Sequence, residues 1–502
     1  MDRSVIVRRN ILAVIANYRT PGDVRVQVDG DRHPLGAGLY CCVVFNRWLL
    51  LRPGANLTEG PVGRHLINLT IPMFLGIASM IVASMMDTIY VGWIGTLELA
   101  AVSFTFPVVL GLSMVSMGIG IGAASIISRV TGAGDHERVR RLATNAFLLV
   151  AVIVLVLTAV GYLLLEPVFR LLGAGPEILP LSVQYMSVWF IGMPAFALPM
   201  VGTIIMRAVG NARLPGIIMA TAAGLQIVLA PMLIFGVPGL WEGLGFAGAA
   251  WGFVLSRMVT FIYTWRVLVK LDLLYFERQT FADLWESWRE IARIGLPSMM
   301  SNLVGPISMA VIVSLLAGYG HVVVAGFGVA SRIEALATMV LMALSASTGP
   351  FVGQNWGAGN HARIYTAHKL GYRFCYVWGV VAFIVLAGAG RWLIGFINED
   401  PGVIEATYAY LLLVPVTYGF FGASMVAMST FIALGKPMPS LIMSVARMVV
   451  VYVPLALLLE IWFGYRGIYA AAGISNVVVG IVAARWVNHT LAHEISRGLR
   501  AT

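Results

Sequence analysis

The feature that most constrains this chain is a series of twelve long apolar segments, which begins at residue 66 and continues almost to the end. A helix needs about 20 mainly apolar residues to cross a bilayer, and only helices or closed barrels satisfy their backbone inside lipid. Because the segments are continuous rather than alternating, a β-barrel is excluded. The sequence therefore predicts an all-α polytopic membrane protein with transmembrane helices at about 66–93, 99–128, 142–165, 181–206, 214–236, 245–269, 291–317, 322–350, 367–393, 404–434, 440–463 and 467–489.

Composition excludes several other classes of protein. Charged residues make up 11% of the 502 residues, against roughly 25% in an average soluble domain, so a soluble multidomain enzyme is excluded. The net charge of +10 comes from arginines in short loops between apolar segments, and we therefore expect no nucleic-acid partner. Cys41, Cys42 and Cys375 form neither a disulfide framework nor a CxxC pair. We expect no metal site and no cofactor.

The distribution of Lys and Arg predicts the orientation of the chain. Loops after even-numbered helices hold fifteen of these residues, whereas loops after odd-numbered helices hold only Arg170, Arg391 and Arg466. Cytoplasmic loops are enriched in Lys and Arg. We therefore expect a multi-pass protein of the cell inner (plasma) membrane with both termini in the cytoplasm.

The chain repeats itself at an offset of 225 residues. Pro72 recurs as Pro297, the glycine of "TGAGDHER" recurs in "WGAGNHAR", and that of "AVGNARLP" recurs in "ALGKPMPS". Each half contains six helices, an even number, so both halves enter the membrane in the same direction and are related by an axis along its normal. This predicts two pseudo-symmetric six-helix lobes, the N-lobe (61–280, helices 1–6) and the C-lobe (281–502, helices 7–12).

The first 60 residues lie outside this repeat. They are rich in Arg and contain only short apolar runs, of which "LYCCVVFNRWLLL" could form an interfacial helix. The simpler interpretations are a disordered tail or a start codon assigned too far upstream. We expect the first 55 or so residues to be dispensable for function.

Charged residues inside the predicted spans are the main candidates for function, because each is costly there. We single out Asp87, Arg257, Arg332, Glu334 and Arg447. Asp87 is the only carboxylate within the first six spans, and burial disfavours the charged form of a carboxyl group, so Asp87 can bind and release a proton. The alternative is that Arg257 or Arg332 holds Asp87 permanently ionised and the pair only locks two helices together.

With these residues in view, the chain resembles the multidrug and toxic compound extrusion (MATE) family. The resemblance rests on "IPM…MMDTIYVGWIG", "GIGIGAASIISRVTGAGD", "MRAVGNARLP", "LIFG…GFAGAAWG", "ASRIEAL…GPFVGQNWGAGN" and "FIALGKPMP", in this order over about residues 60–490. It implies a V of two six-helix lobes, and an antiporter that exports amphipathic, often cationic compounds in exchange for protons or sodium.

The resemblance also implies an ion-coupling site, although several family positions differ here. The family's aspartate in helix 1 matches Asp87, and Gln226 stands at its asparagine position in helix 5. Its second aspartate is Ala230 here, and its threonine in helix 6 is Phe253. The glutamate of "RIEAL" is retained as Glu334. We therefore expect Asp87, with Gln226 and Glu334, to couple transport to protons, with sodium as the second possibility.

We expect a central cavity between the lobes, lined mainly by apolar and aromatic side chains that accept amphipathic or cationic small molecules. The expected partners are these substrates and the lipid bilayer, and we expect a monomer. Candidate residues of the cavity and its hinges are Pro72, Met86, Tyr90, Phe104, Pro107, Met114, Arg257 and Pro297.

Two other functions remain open from the sequence. A flippase for a lipid-linked precursor would need a strongly cationic cavity for a pyrophosphate, for which only Arg257, Arg332 and Arg447 are available. An integral-membrane enzyme would need paired acidic motifs or HExxH, and neither occurs in the sequence. We therefore expect a transporter and not an enzyme.

The charge bias makes the topology testable. Reporter fusions after Gly134 and after Gly359 should read cytoplasmic, and a fusion near Gly239 should read external, because of the Lys and Arg distribution. An external signal at either of the first two positions would contradict the predicted topology.

Overall fold

The computed structural model describes residues 25–28, 31–34 and 56–501, apart from residues 238, 240, 276 and 278. The chain divides into two units, Met1–Arg52 and Pro53–Thr502. In the first unit, strands β1 (Arg25–Val28) and β2 (Asp31–Pro34) pair as an antiparallel hairpin. The rest of the predicted tail up to residue 55, including the possible interfacial helix, lies outside the described residues.

Within the described part of the second unit, twelve helices are long and apolar enough to cross a membrane, as the sequence predicts. Most extend beyond the predicted spans at one or both ends. A short helix (Leu165–Leu171) lies between the third and fourth of these helices, and strands β3 (Gly236–Val237) and β4 (Trp241–Glu242) pair between the fifth and sixth. The helices are α1 (Val62–Ile94), α2 (Thr96–Ala133), α3 (His136–Leu163), α4 (Ile178–Ala208), α5 (Arg213–Phe235), α6 (Phe246–Lys270), α7 (Phe281–Ala317), α8 (His321–Gly357), α9 (His361–Gly395), α10 (Pro401–Ala433), α11 (Pro437–Phe463) and α12 (Tyr465–Ala501).

The helix ends follow local chemistry that the sequence repeats. The side chain of Asp135 accepts a hydrogen bond from the backbone of Arg138 at the start of α3, as an N-cap residue does. Gly210 and Gly435, the two repeat glycines after α4 and α10, adopt φ of +89° and +76°. Glycine reaches this left-handed region without strain. The 225-residue repeat therefore includes the glycine turns that end α4 and α10.

Two helices of the C-lobe depart from regular α geometry. α10 passes through a 3-10 turn at Pro415–Thr417, where Pro415 has no backbone N–H to donate. α11 contains a π-helical stretch at Arg447–Tyr452, a feature often found at functional sites. This stretch positions the charged side chain of Arg447.

Each lobe has a hydrophobic core, and Ile291 and Ile294 of α7 also pack into the core of the N-lobe. In the N-lobe (α1–α6) Trp189 and Phe190 are almost fully buried, and in the C-lobe (α7–α12) Phe327, Tyr418 and Tyr469 are. The outer faces of α3 and α9 instead expose large apolar residues such as Leu155 and Ile384. Buried cores together with exposed apolar outer faces are the distribution expected of helices that face lipid.

The lobes meet at the end of the bundle that carries the loops after the even-numbered helices, which we call the even-loop end. Arg129 of α2 donates through Nη1 to the carbonyl oxygen of Ala433 at 3.1 Å, at the end of α10. Gln354 of α8 donates through Nε2 to the carbonyl oxygen of Ala208 at 2.8 Å, at the end of α4. Both donors and both acceptors differ by 225 in number, so each lobe caps the other in the same way.

Two glycines allow the lobes to approach closely beside these hydrogen bonds. A Cβ atom on Gly132 would lie 1.9 Å from the carbonyl oxygen of Gln354, and one on Gly357 would lie 1.9 Å from that of Arg129. No other residue fits at either position without moving the helices apart. This close approach of α2 and α8 explains why the glycine of the repeated GAG motif is present in both halves.

Residues 56–61, which we call the strap, join the start of α1 to the C-lobe. Leu57 is fully buried, and its carbonyl oxygen accepts hydrogen bonds from Arg363 at 2.9 Å and Asn355 at 3.1 Å. Arg363 also donates to the carbonyl oxygen of Gly60 at 2.6 Å. The predicted tail ends at residue 60, whereas residues 56–60 belong to the helical unit. The prediction that the first 55 or so residues are dispensable does not extend to them.

We expect the strap to stabilise the joined lobes through Leu57 and the strap's backbone. Leu57→Ala should lower the free energy of unfolding by about 2–5 kcal/mol, as large-to-small changes at buried sites do. Glu59→Ala is the matched control, because Glu59 is exposed and Arg363 binds only its carbonyl oxygen. Thermal unfolding in detergent, followed by tryptophan fluorescence, measures both. Equal effects of the two substitutions would contradict a stabilising role.

Candidate ion-coupling site

Asp87 lies in α1, half-buried, and contacts α5. Its Oδ2 atom accepts a hydrogen bond from Nε2 of Gln226, which is 4% exposed. Buried polar groups are usually hydrogen-bonded, since an unmade bond costs free energy. The structure thus brings together the two N-lobe residues that the sequence analysis assigns to ion coupling.

Arg257 of α6 extends this contact into a chain of three residues. Its Nη2 atom donates to Oε1 of Gln226 at 3.0 Å, and its guanidinium lies 4.9 Å from the ring centroid of Phe253. Within the described residues no ion pair joins Asp87 to Arg257 or to Arg332. Arg257 therefore acts on Asp87 through Gln226, and not by the direct pairing that the sequence leaves open.

The three-residue chain fixes the orientation of the Gln226 amide. An arginine only donates hydrogen bonds, so the atom of Gln226 that faces Arg257 must be the oxygen. The amide nitrogen then faces Asp87, whose nearer oxygen must accept. A proton on Asp87 consequently belongs on its other oxygen, Oδ1, and the hydrogen bond to Gln226 is compatible with both charge states.

Two positions beside Asp87, Gln226 and Arg257 lack the side-chain oxygens that the family pattern has there. Ala230, at the position of the family's second aspartate, is 1% exposed and packs with Tyr90 and Ile234. Phe253, at the position of the threonine, stacks on Arg257 and Trp189 instead of offering an oxygen. Among the described residues, no group of three or more His, Cys, Asp and Glu could hold a metal ion.

Glu334 lies in the other lobe, in a cluster of its own. Its Oε2 atom accepts a hydrogen bond from the hydroxyl of Tyr410 at 2.6 Å. Tyr410 in turn packs edge-on against Tyr469 with ring centroids 5.0 Å apart, and the hydroxyls of Tyr418 and Tyr469 have no partner within the described residues. Arg447 stacks on Phe421. Tyr410 is not among the site residues predicted from the sequence, and its position is the repeat equivalent of Tyr185.

The two carboxylates occupy positions that are not equivalent in the repeat. The counterpart of Asp87 is Ile312, and the counterpart of Glu334 is Val109. In the structure Asp87 accepts a hydrogen bond from Gln226 of α5 and Glu334 accepts one from Tyr410 of α10, so the two carboxylates do not share a hydrogen-bond partner. Each of these two interior carboxylates has a donor in its own lobe.

The remaining candidate residues fall into three groups. Tyr90 and Arg257 are buried inside the N-lobe, where the Tyr90 hydroxyl donates to the carbonyl oxygen of Ile227 at 3.2 Å, and Met86 packs beside Tyr90. Phe104, Pro107 and Met114 lie along α2, with Pro107 exposed. Pro72 and Pro297 lie inside α1 and α7. Tyr90 and Arg257 are thus buried within the N-lobe in this structure.

Comparison with protein families and curated proteins finds relatives across most of the chain. The MatE family profile matches residues 72–232 and 297–458, one match in each half. A Shewanella oneidensis protein named FAD transporter is 35% identical over 449 residues, which cover 89% of this chain and 98% of that protein. The Bacillus subtilis protein YpnP, named a probable multidrug resistance protein, is 27% identical and covers 84% of this chain and 93% of its own length.

Solved structures show the same architecture. VcmN, a MATE transporter of Vibrio cholerae in its bent form, matches with a TM-score of 0.82 at 26% identity, over 86% of this chain and 98% of that one. An outward-facing multidrug resistance MATE family transporter matches with a TM-score of 0.83 at 25% identity, over 89% of this chain and all of the other. The twelve-helix fold predicted from the sequence is thus confirmed.

The bridging role of Gln226 can be measured with a double-mutant cycle. Gln226→Leu and Arg257→Met each leave a buried partner unsatisfied, at a cost of about 1–3 kcal/mol. Together they should cost less than the sum, with an interaction energy of about 0.5–3 kcal/mol. Gln184→Leu, an exposed glutamine of α4, combined with Arg257→Met should instead be additive. Thermal unfolding provides the values, and additivity in both cycles would contradict the bridge.

Proposed function

Since this chain belongs to the multidrug and toxic compound extrusion (MATE) family of transporters, we propose that it is a secondary active exporter that exchanges amphipathic organic molecules for protons. The observation that carries the proposal is the chain of hydrogen bonds from Asp87 through Gln226 to Arg257. In this proposal the even-loop end faces the cytoplasm and the protein is embedded in the inner membrane.

Asp87 is the proton carrier in this mechanism. Its carboxylate is held at Oδ2 by Gln226, and Oδ1 remains able to take the proton. With the proton absent, the positive charge of Arg257 balances the carboxylate through the intervening amide. With the proton present, one charge is removed from the half-buried N-lobe site, and the relative stabilities of the transporter's conformations change.

A proton fits this site better than sodium does. Sodium is held by several converging oxygen atoms, whereas Ala230 and Phe253 supply none at the two positions where the family pattern has them. Gln226 has its oxygen committed to Arg257 and directs its nitrogen, a donor, at Asp87. A cation would therefore meet an N–H group on this side of the carboxylate, which supports proton coupling.

Glu334 is a second group that can take part in coupling. It has a single described hydrogen-bond donor, the Tyr410 hydroxyl, and lies in the C-lobe away from the Asp87 chain. We propose that it contributes to the conformational change of its own lobe and is not the primary proton carrier.

Two classes of substrate have support. YpnP and the Staphylococcus aureus protein MepA are named for multidrug resistance and export, which favours a broad range of amphipathic compounds. The Shewanella oneidensis relative is named FAD transporter and is 35% identical over almost its whole length, which favours export of a flavin nucleotide. Substrate identity therefore has to be tested with both classes.

Asp87→Asn tests the coupling role. The amide keeps the shape of the carboxyl group but cannot exchange a proton, so the variant should fold and bind substrate yet lose export driven by a proton gradient. Reconstituted vesicles, loaded in separate experiments with a cationic dye and with FAD, measure export under a proton gradient and under a sodium gradient. Asp272→Asn is the control, because Asp272 is exposed in the loop after α6 and should leave export unchanged.

Two outcomes would contradict the assignment of Asp87 as the coupling residue, and a third would change only the coupled ion. Export by Asp87→Asn at the rate of the parent would remove Asp87 from the coupling mechanism. A variant that elutes as aggregate and unfolds at a lower temperature would indicate a structural role. Export by the parent under a sodium gradient alone would overturn only the choice of ion.

A further inference from the structure

Arg332 is an interior arginine with no described partner. It lies eleven residues into α8, roughly 16 Å from the start of the helix at 1.5 Å per residue. Its side chain is exposed, and within the described residues it forms no hydrogen bond or ion pair. A charged side chain at this depth is costly unless it faces a water-filled space or a partner.

The helical position of Arg332 shows what it faces. Ala343 follows eleven residues later and therefore lies within about 20° of Arg332 around the helix, at 100° per residue. Ala343 is fully buried in a cluster with Leu69 and Met73 of α1, which belongs to the other lobe. Arg332 thus lies on the face of α8 that is directed at the N-lobe, beyond the point where the lobes are in contact.

The opposite wall carries Asp87. Asp87 follows Met73 by fourteen residues. At 1.5 Å and 100° per residue it lies roughly 21 Å along α1 from Met73, and about 40° from Met73 around the helix axis. Arg332 lies roughly 16 Å from the same contact along α8. We call the space between these two faces the cleft. The helical positions place a basic group, Arg332, on one wall and an acidic group, Asp87, on the other.

Space is available around the Arg332 guanidinium. Gly328 precedes it by one helical turn, and a Cβ atom added there would meet no atom within 4 Å. Ala325, one turn further, is small and exposed. The repeat equivalent of Arg332 on α2 is Pro107, which is exposed on the corresponding face and cannot provide a charge.

The two other arginines singled out from the sequence, Arg257 and Arg447, are engaged in the described structure. Arg257 donates to Gln226, and Arg447 donates to Asn476 at 3.5 Å and stacks on Phe421. Arginine presents its donors in a planar fork that matches the two oxygens of a carboxylate or a phosphate, so that such a group is bound through two parallel hydrogen bonds. Of these three arginines, only Arg332 has this fork unoccupied in the described structure.

We propose that Arg332 is a specificity-determining residue that binds an acidic group of the substrate, a phosphate or a carboxylate, on the C-lobe wall of the cleft. The inference rests on the proposed export function, because it names the chemical class of the molecule exported. It predicts that ligands with an aromatic or apolar body and one acidic group bind more tightly than the same molecules without that group.

Two pairs of fluorescent probes test the proposal by equilibrium binding. Riboflavin and riboflavin 5′-phosphate differ by a phosphate, and rhodamine 6G and the free acid formed by hydrolysis of its ester differ by a carboxylate. Purified full-length protein in detergent should bind the acidic member of at least one pair about tenfold or more tightly, as expected for a charge-assisted hydrogen bond. The pair that shows the preference identifies the acidic group.

Four variants distinguish the effect of Arg332 on probe binding from the effect of the protein's net positive charge. Arg332→Gln should bind the two members of each pair with about equal affinity, and Arg332→Lys should retain part of the preference for the acidic member. Gly328→Asp should also remove the preference, since its carboxylate would lie one turn from Arg332 and occupy it, and this variant keeps the arginine if Arg332→Gln does not fold. Arg391→Gln, an exposed arginine of α9 that stacks on Tyr408, should leave the preference unchanged.

The experiment needs no ion gradient, so its result is independent of the coupling mechanism. Asp87→Asn, which should lose gradient-driven export, should show a preference for acidic probes at least as large as that of the parent, because the substitution removes an acidic group from the opposite wall of the cleft. Equal binding of both members of both pairs by the parent would overturn the proposal. A preference that persists in Arg332→Gln, or one that Arg391→Gln abolishes to the same extent, would overturn it as well.

Discussion

Hydrocarbon offers no water to a polar side chain, and this constraint accounts for the way the ionisable residues of this protein are arranged. Asp87 is bonded to Gln226 and through it to Arg257, and Glu334 is bonded to Tyr410. Each of these two interior carboxylates therefore has a donor from a neighbouring helix. Arg332 is the exception, and its exposed position on the face of α8 that is directed at the N-lobe is consistent with a space that holds water and substrate.

The duplication accounts for the contacts that join the two lobes, but it does not account for the positions of the two interior carboxylates. The hydrogen bonds from Arg129 to Ala433 and from Gln354 to Ala208 are related by the repeat, as are the close approaches at Gly132 and Gly357. These contacts hold the lobes together at one end and require both halves to be alike. The carboxylates have no such requirement, and their counterparts in the other lobe are apolar. An asymmetric pair of sites within a symmetric frame allows the two lobes to have different roles in transport.

The strap adds a connection that the repeat does not contain. Residues before α1 lie against α8 and α9, where Arg363 and Asn355 bind their carbonyl groups and Leu57 is buried. The strap belongs to the chain of the N-lobe but is bound by the C-lobe, at the same end as the reciprocal hydrogen bonds. Any movement that separates the lobes at this end must also release Leu57 from its buried position. The free energy of this contact therefore contributes to the free-energy difference between conformations in which the lobes are joined and separated at this end.

The sequence by itself determined the twelve helices, the 225-residue repeat and Asp87 as the leading candidate for coupling, because apolar length, helix-end residues and a lone interior carboxylate are local properties. Only the tertiary structure decided which side chains meet. Gln226 and Asp87 are 139 residues apart, Tyr410 and Glu334 are 76 apart, and Arg363 and Leu57 are 306 apart. Contacts at such separations depend on how helices pack, which neither composition nor periodicity specifies. For the same reason the sequence placed Arg257 and Tyr90 in a cavity, whereas packing of α1, α5 and α6 buries both inside the N-lobe and leaves Arg332 exposed toward the other lobe.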